Sequence, residues 1–584
     1  MAYRWRSRDL TVPVTMVAVL TVSGCGVLGV LRGPEAASPA PPRPSATSAE
    51  EPTEDAAGES TAASTEESTA PSTALSTAPS TGASLAKEGW FGPTGPLHAR
   101  VEMGEVERLA DRSVLRFTVT SLEDQPRHTG NAFGTAAGDF GSYRIPLVDP
   151  VGGKVYHPLT DQVGTLGSKP GYYEPGVRYE TVVYYPPLPA GVRTVTAITA
   201  GTAGEFTGVP VVDGTGSGGA LSPTADPGGP LSPTADPGGP LSPQAGPGST
   251  PQPGSTVSWP VREPAGQITS SVQDLYGITE SPEKTTVASG GDETVGLRTD
   301  VLFAFDSDRL TARARAVLDD VAEETREKAD PDRPPILIEG HTDGKGTHAY
   351  NVALSLRRAE AVRKELRARL GGAYRYRATG KGETEPVARE GGPDDEEARA
   401  RNRRVEISYR VKQPTETASE TEGTRADEPT TGGGRPAPFH ADDGETVASR
   451  TTTKKPTGQR LRIDVKPFYR DGAYLVAVFD IVNLGPGNLG AGTGYGGDIA
   501  YIGGWYTGFS VVDPASHTVY RAVRMGPDDP RGPDDYVDPG WATFNVEPGT
   551  GNRGFFYVPA PPPGVTSVTF DAGPFGRFDD VPVR

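Results

Sequence analysis

The stretch Ile336-Leu337-Ile338-Glu339-Gly340-His341-Thr342-Asp343-Gly344-Lys345-Gly346 decides the fold of the part of this chain that carries chemistry. Its first residues are typical of a short buried strand, and a glycine-rich loop follows them. Thr347 can cap the next helix, which we expect to run to about Leu370 and to end at Gly371-Gly372. The local order is therefore strand, loop and helix.

Strand and helix signals continue on both sides of this stretch. The apolar run 301–305 predicts a short strand, and a helix is predicted after it from apolar residues at helical spacing, namely Ala314, Val317, Leu318 and Val321. Three more elements are predicted towards the C-terminus: a strand near 375–379, an acidic helical turn near 394–401 and a strand over 405–409. Residues 299–411 are thus expected to form an α+β sandwich of βαβαβ type.

Four motifs in this module resemble a known family, the OmpA-like C-terminal domain shared with peptidoglycan-associated lipoproteins and flagellar stator proteins. They cover under a fifth of the chain, and their spacing is unbroken. They are Gly340-His341-Thr342-Asp343-x-x-Gly346-x-x-x-Tyr350-Asn351, Asn351-x-x-Leu354-Ser355-x-x-Arg358-Ala359, Gly380-x-Gly382-x-x-x-Pro386 and Asn402-Arg403-Arg404-Val405-Glu406-Ile407.

The resemblance implies a non-covalent peptidoglycan-binding site that recognises diaminopimelate. Asn351, Leu354 and Arg358 share one face of the predicted helix, and Asp343 lies on the loop that leads into it. A carboxylate facing a guanidinium suits a zwitterion: Asp343 would accept from the ammonium, and Arg358 would bind the carboxylate with two hydrogen bonds. The family pattern adds four further site residues, Thr342, Phe305, Asp306 and Arg403.

Other interpretations of these residues are weaker. Asp343 and Arg358 could form a structural ion pair that only ties the loop to the helix. His341, Asp343 and His348 do not make a convincing metal site, because no fourth ligand is in view. The loop lacks the glycine spacing of a phosphate-binding loop. Since no nucleophile–base set can be assembled by spacing either, we predict no catalytic residues, no metal and no cofactor.

Composition divides the rest of the chain into linkers and foldable blocks. Glycine (75) and proline (58) make up close to a quarter of the 584 residues, which excludes one large globular enzyme. The net charge of −18 argues against a nucleic-acid partner. Segment 214–262 contains the decapeptide Leu221–Pro230 repeated as Leu231–Pro240, and it is predicted to be a disordered spacer.

The single cysteine, Cys25, indicates a lipid anchor. It follows a basic start and an apolar run that is too short to span a bilayer, in the sequence Val22-Ser23-Gly24-Cys25. This ending resembles the lipobox of bacterial lipoproteins, which implies cleavage after residue 24 and acylation of Cys25 by palmitate-class chains. The alternative is a plain secretory signal in which the cysteine is accidental.

Two blocks, 88–213 and 457–584, are copies of one another. Val148-Asp149-Pro150 recurs as Val512-Asp513-Pro514, and three further short motifs recur in the same order. Both blocks show period-two alternation, which predicts immunoglobulin-like, all-β sandwiches. Their proline-rich stretches fit loops before edge strands better than polyproline ligands.

The predicted architecture is therefore multidomain, with the α+β module between two β-sandwiches and long disordered linkers. Its segments are a signal peptide (1–24), a tether (25–87), the first sandwich (88–213), a linker (214–262), a lead-in (263–298), the module (299–411), a linker (412–456) and the second sandwich (457–584).

The predicted function is a non-enzymatic, exported envelope lipoprotein that links a membrane to the cell wall. The membrane would be the outer membrane, or the cytoplasmic membrane in a source without an outer one. The alternative is an adhesion or solute-receptor protein whose duplicated sandwiches bind an unknown partner, with the module only as a positioning anchor. A wall hydrolase lacks any recognisable nucleophile or metal set.

Overall fold

A computed structural model describes residues 85–92, 96–128, 132–134, 143–214, 250–304, 306–391, 395–412, 434–454, 457–489, 494–497, 500–528, 533–540 and 547–584. Cys25, the decapeptide repeats and Phe305 lie outside these ranges, so the predictions made for them are not addressed by the structure. No helix within the ranges has both the length and the apolar character needed to cross a membrane.

Block 1, the first duplicated block with its flanking strands (described residues 85–214 and 250–262), is built from two larger sheets and one short two-stranded sheet. Its strands are β1 (Leu85–Phe91), β2 (Leu97–Arg108), β3 (Ser113–Ser121), β4 (Arg127–His128), β5 (Leu147–Asp149), β6 (Lys154–Tyr156), β7 (Tyr172–Tyr173), β8 (Arg178–Tyr185), β9 (Thr194–Ile198), β10 (Glu205–Asp213) and β11 (Thr256–Ser258). One sheet has the order β1-β2-β3-β8-β11, and the other has the order β10-β9-β5-β6. Alternating side chains, including Val101, Leu115 and Phe206, form a shared core.

A bridging segment follows, with three strands: β12 (Val272–Glu280), β13 (Lys284–Ala288) and β14 (Asp292–Arg298). The central module comprises α1 (Thr299–Leu302), α2 (Ala312–Lys328), β15 (Ile336–His341), α3 (His348–Leu370), a 3-10 turn (Gly371–Ala373), β16 (Tyr376–Gly382), α4 (Asp395–Asn402) and β17 (Arg404–Arg410). Its sheet has the order β13-β14-β17-β15-β16, in which only β15 and β16 are parallel. Residues of α2 and α3, such as Leu318 and Val362, share a buried core with this sheet.

Block 2 repeats the plan of two sheets. Its elements are β18 (Ala448–Lys454), β19 (Gln459–Val465), β20 (Tyr469–Asp471), β21 (Tyr474–Asn483), β22 (Ser510–Val512), β23 (Val519–Met525), β24 (Asp535–Tyr536), β25 (Gly551–Pro559), β26 (Ser567–Asp571), a 3-10 turn (Gly573–Phe575) and β27 (Arg577–Pro582). One sheet has the order β18-β19-β21-β25, and the other runs β27-β26-β22-β23.

The duplicated motifs adopt matching local structures. Val148-Asp149 ends β5, and Val512 ends β22 with Asp513 directly after it; each strand is the first of a hairpin. In block 1 the Asp149 carboxylate accepts backbone N–H groups of the turn, and in block 2 the Asp513 carboxylate does the same. A two-sheet architecture is thus common to both blocks, while their immunoglobulin-like character stays a prediction.

The predicted strand at 301–305 is wrong. Residues 299–302 form α1, and the first strand of the module lies upstream, where β14 pairs along its whole length with β17. The run is apolar because Leu302 and Phe303 enter the core, and not because the chain is extended there. The strands at one edge of the module's sheet, β13 and β14, therefore come from the segment 263–298 that was predicted to be a lead-in.

Parts of the predicted linkers are ordered as well. Residues 250–262 of the first linker add β11 to block 1, where Trp259 stacks on Tyr179 with ring centroids 4.4 Å apart. Residues 434–454 of the second linker bury Ala437 and supply β18 to block 2. The tether also ends earlier than predicted, since β1 begins at Leu85. Individual aromatic and apolar residues pack these segments against the blocks. An average of glycine and proline content over a segment does not detect such single residues.

Strand β12 joins the three parts. Its first residues, 272–274, pair with β6 of block 1, and residues 275–280 pair with β23 of block 2. Because β6 and β23 are equivalent strands of the duplication, β12 covers the same sheet edge in both copies. It then turns into β13, which enters the sheet of the module.

Candidate functional site

The site lies where β15 ends and α3 begins. The hydroxyl of Thr347 accepts the backbone N–H of Tyr350 at 3.3 Å and caps α3, as predicted. Gly340 is required because a Cβ there would lie 2.1 Å from the carbonyl oxygen of Ser355. The helix therefore packs directly on the strand, and this contact fixes the loop 342–346 at the helix start.

Asp343 pairs with Arg403 and not with Arg358. The two side chains meet at 2.9 Å between Asp343 Oδ2 and Arg403 Nη1. Arg403 also reaches Asp300 at 2.9 Å and Glu396 at 3.0 Å, so one guanidinium collects three carboxylates. These bonds hold the pKa of Arg403 above its ordinary value against the opposing effect of burial. The direct Asp343–Arg358 opposition expected from the sequence is therefore replaced by a cluster centred on Arg403.

Arg358 is buried, with 6% of its surface exposed. Its Nε donates to the carbonyl oxygen of Ser307 at 3.0 Å, and its guanidinium lies 5.5 Å from the ring centroid of Phe303. Among the described residues, no carboxylate lies within 4.0 Å of its charged nitrogens. Burial lowers the pKa of Arg358. The charges of Asp300 and Asp306, at longer range, partly offset this lowering. The guanidinium thus keeps hydrogen-bonding capacity for an anion.

Asp306 and Tyr350 face each other beside Arg358. Asp306 has φ +50°, in the left-handed region, and its carboxylate accepts a short hydrogen bond from the Tyr350 hydroxyl. That bond raises the pKa of Tyr350. The structure therefore places Asp306 and Tyr350 together near Arg358.

The other predicted residues are buried along the same helix and loop. Asn351 and Leu354 lie on the inner face of α3, exposed by 2% and 7%. The Thr342 backbone N–H donates to Gly382 at 2.9 Å, and its buried hydroxyl has no hydrogen-bond partner in the part of the chain that the structure describes. Phe305 lies outside the described residues.

Two residues that hold the loop were not assigned a role from the sequence. The Asn402 amide donates to Glu390 at 2.7 Å, and its oxygen accepts the backbone N–H groups of Val387 and Ala388. Glu390 then accepts the backbone N–H of Gly344 at 3.2 Å. Asn402 begins the family motif 402–407, which could have indicated a role for it. Nothing in the sequence around Glu390 indicates its contact with Gly344, 46 residues away.

The histidines of the loop have separate partners. His341 ends β15 with 1% of its surface exposed, 3.6 Å from Glu406, while His348 pairs with Glu383 at 3.0 Å. Although burial raises the pKa of Glu406, the neighbouring His341 and the charge of Arg404 lower it to about 2. Within the described ranges, no three histidine, cysteine or acidic side chains are placed to hold a metal ion.

Sequence comparisons point to one family. A sequence model of the OmpA family matches residues 302–403. Outer membrane protein A of Bordetella avium is 41% identical over 108 residues, which are 18% of this chain and 53% of that protein. The peptidoglycan-associated lipoprotein of Pseudomonas putida is 38% identical over 105 residues, 18% of this chain and 59% of the relative.

A solved structure, the cell wall anchor of the T6SS from Pseudomonas aeruginosa, is 33% identical and aligns with 22% of this chain and 89% of its own, with a TM-score of 0.20. The chain spans little more than half the length of these two curated relatives. Through this module, the chain belongs to the OmpA family.

Proposed function

We propose that the central module binds peptidoglycan non-covalently by recognising the free end of a diaminopimelate side chain, and that the protein links a membrane to the cell wall. The observation that carries the proposal is the buried guanidinium of Arg358, which has no carboxylate within 4.0 Å among the described residues. A buried cation of this kind is stabilised by an incoming carboxylate that it can bind through two hydrogen bonds.

The neighbouring acidic groups suit the other end of a zwitterion. Asp343, Asp300 and Glu396 converge on the single positive charge of Arg403, which leaves this cluster with excess negative charge. An ammonium group would be attracted to that cluster while its carboxylate reaches Arg358. A lysine-type stem peptide has the ammonium but lacks the carboxylate. We therefore expect it to bind less tightly by about 1–3 kcal/mol, the cost of an unsatisfied buried polar group.

The names of two relatives agree with this proposal. One relative is named a peptidoglycan-associated lipoprotein, and one solved relative is described as a cell wall anchor. By analogy we infer a cell-envelope location for this chain, with anchoring by acylation of Cys25 on the lipobox-like sequence. We also propose that the protein is not an enzyme and requires neither cofactor nor metal, because the described residues of the site offer binding groups and no nucleophile–base pair.

The test is a pull-down of the full chain on purified sacculi of the diaminopimelate type and of the lysine type. Asp343→Ala and Arg358→Ala should each lose most of the binding to diaminopimelate-type sacculi, and the wild type should prefer that type. Arg357→Ala is the matched control, because Arg357 is adjacent in sequence but half exposed and 3.8 Å from Asp308. It should bind like the wild type.

Circular dichroism of each variant separates loss of the site from loss of the fold. Folded Arg358→Ala protein that binds diaminopimelate-type sacculi as well as the Arg357→Ala control would refute the assignment of the carboxylate site. Equal binding to both types of sacculi by the wild type would refute diaminopimelate recognition and leave general wall binding as the function of the module.

A further inference from the structure

A cavity that shares no residue with the OmpA-family site lies between block 1, block 2 and strand β12. Its volume is about 540 Å³, within the range of small-molecule sites. Both copies of the duplication contribute walls, so the cavity exists only when the two blocks are joined. Its walls include Arg144, His157, Gln273, Trp505, Asp535 and Asp538.

The two blocks contribute side chains of opposite charge to the lining of this cavity. Arg144 belongs to block 1, and Asp535 and Asp538 belong to block 2. Burial lowers the pKa of His157, an effect that Asp535 opposes and Arg144 reinforces, which places both charges within electrostatic reach of the imidazole. The structure forms no ion pair between Arg144 and Asp535 within the described residues.

The acidic wall lacks a compensating cation. Asp538 is 8% exposed, and its carboxylate accepts the backbone N–H groups of Trp505 at 2.6 Å and Gly540 at 2.9 Å. Burial raises its pKa to about 7, and the nearby charge of Asp535 adds to that rise. No lysine or arginine of the described chain approaches either carboxylate within 4.0 Å.

The remaining walls offer neutral polar and apolar contacts. His157 Nε2 and Gln273 Oε1 lie 2.9 Å apart, which orients both side chains. Trp505, Met525 and Ile198 supply apolar surface. A site of this kind can fix the two charged ends of a short molecule and pack its middle.

We propose that this cavity binds a small zwitterion of the amino-acid or short-peptide class. Its carboxylate lies towards Arg144 of block 1, and its ammonium lies towards Asp535 and Asp538 of block 2. The ligand thereby contacts both copies of the duplication, and its binding favours the joined arrangement of the blocks. This site is independent of the wall-binding function proposed above.

The experiment is a thermal-shift screen of the full chain with the standard L-amino acids, D-alanine and glycylglycine, each at about 10 mM, where a ligand bound only by the native state raises the melting temperature. For each compound that stabilises, the carboxyl-amidated and N-acetylated forms are then titrated by calorimetry. We expect each of these charge-deleted forms to bind at least about tenfold more weakly than the zwitterion.

Two variants locate the site. Arg144→Ala and Asp535→Ala alter exposed side chains and should each reduce affinity at least about tenfold without lowering the melting temperature of the ligand-free protein. Arg193→Ala, a 73% exposed arginine of block 1 outside the cavity, is the control and should bind like the wild type. All three should keep the pull-down on sacculi, so that a failure here is distinct from a failure of the wall-binding site.

Three results would overturn the proposal: no stabilisation by any compound in the screen, equal binding of the zwitterion and its charge-deleted forms, or unchanged affinity in both cavity variants. Stabilisation by calcium or magnesium chloride alone would also overturn it, because the acidic wall would then be a cation site and not half of a zwitterion site.

Discussion

Replacement of Arg553 by methionine should weaken the contact between blocks 1 and 2. Arg553 lies on β25, and its two terminal nitrogens donate to Glu205 of β10 at 2.7 Å each. Its Nε and Nη2 donate to Asp443 at 2.6 and 2.7 Å. Glu205 is 1% exposed and also accepts the hydroxyl of Tyr469 at 2.6 Å, so it cannot recover these bonds from water.

The expected loss follows from what the substitution leaves behind. Methionine keeps most of the apolar stem of Arg553 but removes four charge-assisted hydrogen bonds. Glu205 then stays buried next to Lys87, and the partly buried Asp443 has Lys87 and Lys466 as nearby cations. Breaking a buried pair on one side costs about 3–5 kcal/mol of unfolding free energy at neutral pH, mainly because an uncompensated charge stays buried.

The pH dependence gives the sign of the effect. Burial pushes the pKa of Glu205 upwards, but Arg553 and Lys87 outweigh burial and hold it below the ordinary value. In the wild type the stability contributed by Glu205 is therefore full above about pH 4.3, the pKa of an unfolded glutamate, and is lost as the pH falls through the lower folded value. In Arg553→Met we expect burial to raise the folded pKa of Glu205 above its unfolded value, so the stability deficit relative to wild type should shrink between pH 7 and pH 5.

Urea unfolding followed by circular dichroism at pH 7 and pH 5 measures this prediction. Arg577→Met is the control, because Arg577 of block 2 is 67% exposed and its ion pair with Asp571 is worth about 0–1 kcal/mol. The reasoning would be refuted by an Arg553→Met variant as stable as the control at pH 7. It would also be refuted by a stability difference from wild type that grows between pH 7 and pH 5.

Three further predictions concern other parts of the chain. Burial of the Glu280 carboxylate is outweighed by two arginines, which lower its folded pKa to about 2. Glu280→Gln should therefore reduce the urea midpoint at pH 7. It should also abolish the stability loss that wild type shows as the pH falls from about 4.3 to about 2. Gly340→Ala should unfold the central module, seen as loss of helical dichroism, because its Cβ would meet the Ser355 carbonyl; Gly372→Ala, with open space around it, should not. Cys25→Ser should move the protein from the membrane fraction to the soluble fraction, and unchanged partitioning would exclude the proposed anchor.

The pairing of Asp343 shows where sequence-based reasoning stops. The spacing of Asn351, Leu354 and Arg358 placed them on one helix face, and the structure buries all three there. The partner of Asp343 is Arg403, 60 residues further along, and no local spacing determines that contact. Which charges pair depends on how β17 lies beside β15, which is a property of the assembled sheet.

The order in the predicted linkers has a similar origin. Glycine and proline content predicted disorder up to residue 262, yet Trp259 is held by its stack on Tyr179 and Arg262 by its 2.7 Å ion pair with Asp161. Each contact supplies local stabilisation that an average over composition does not include. The same holds for the bridging segment, whose strands gain their partners from three separate parts of the chain.

The amino-acid sequence alone determined the strand–loop–helix order of the central module, its family motifs and the duplication of the outer blocks, because these depend on short-range periodicity and on turn and cap residues. The tertiary structure alone decided the partner of Asp343, the sharing of β12 by both copies and the cavity between them. These features arise from contacts between residues far apart in the chain, whose geometry is set only when the sheets have assembled.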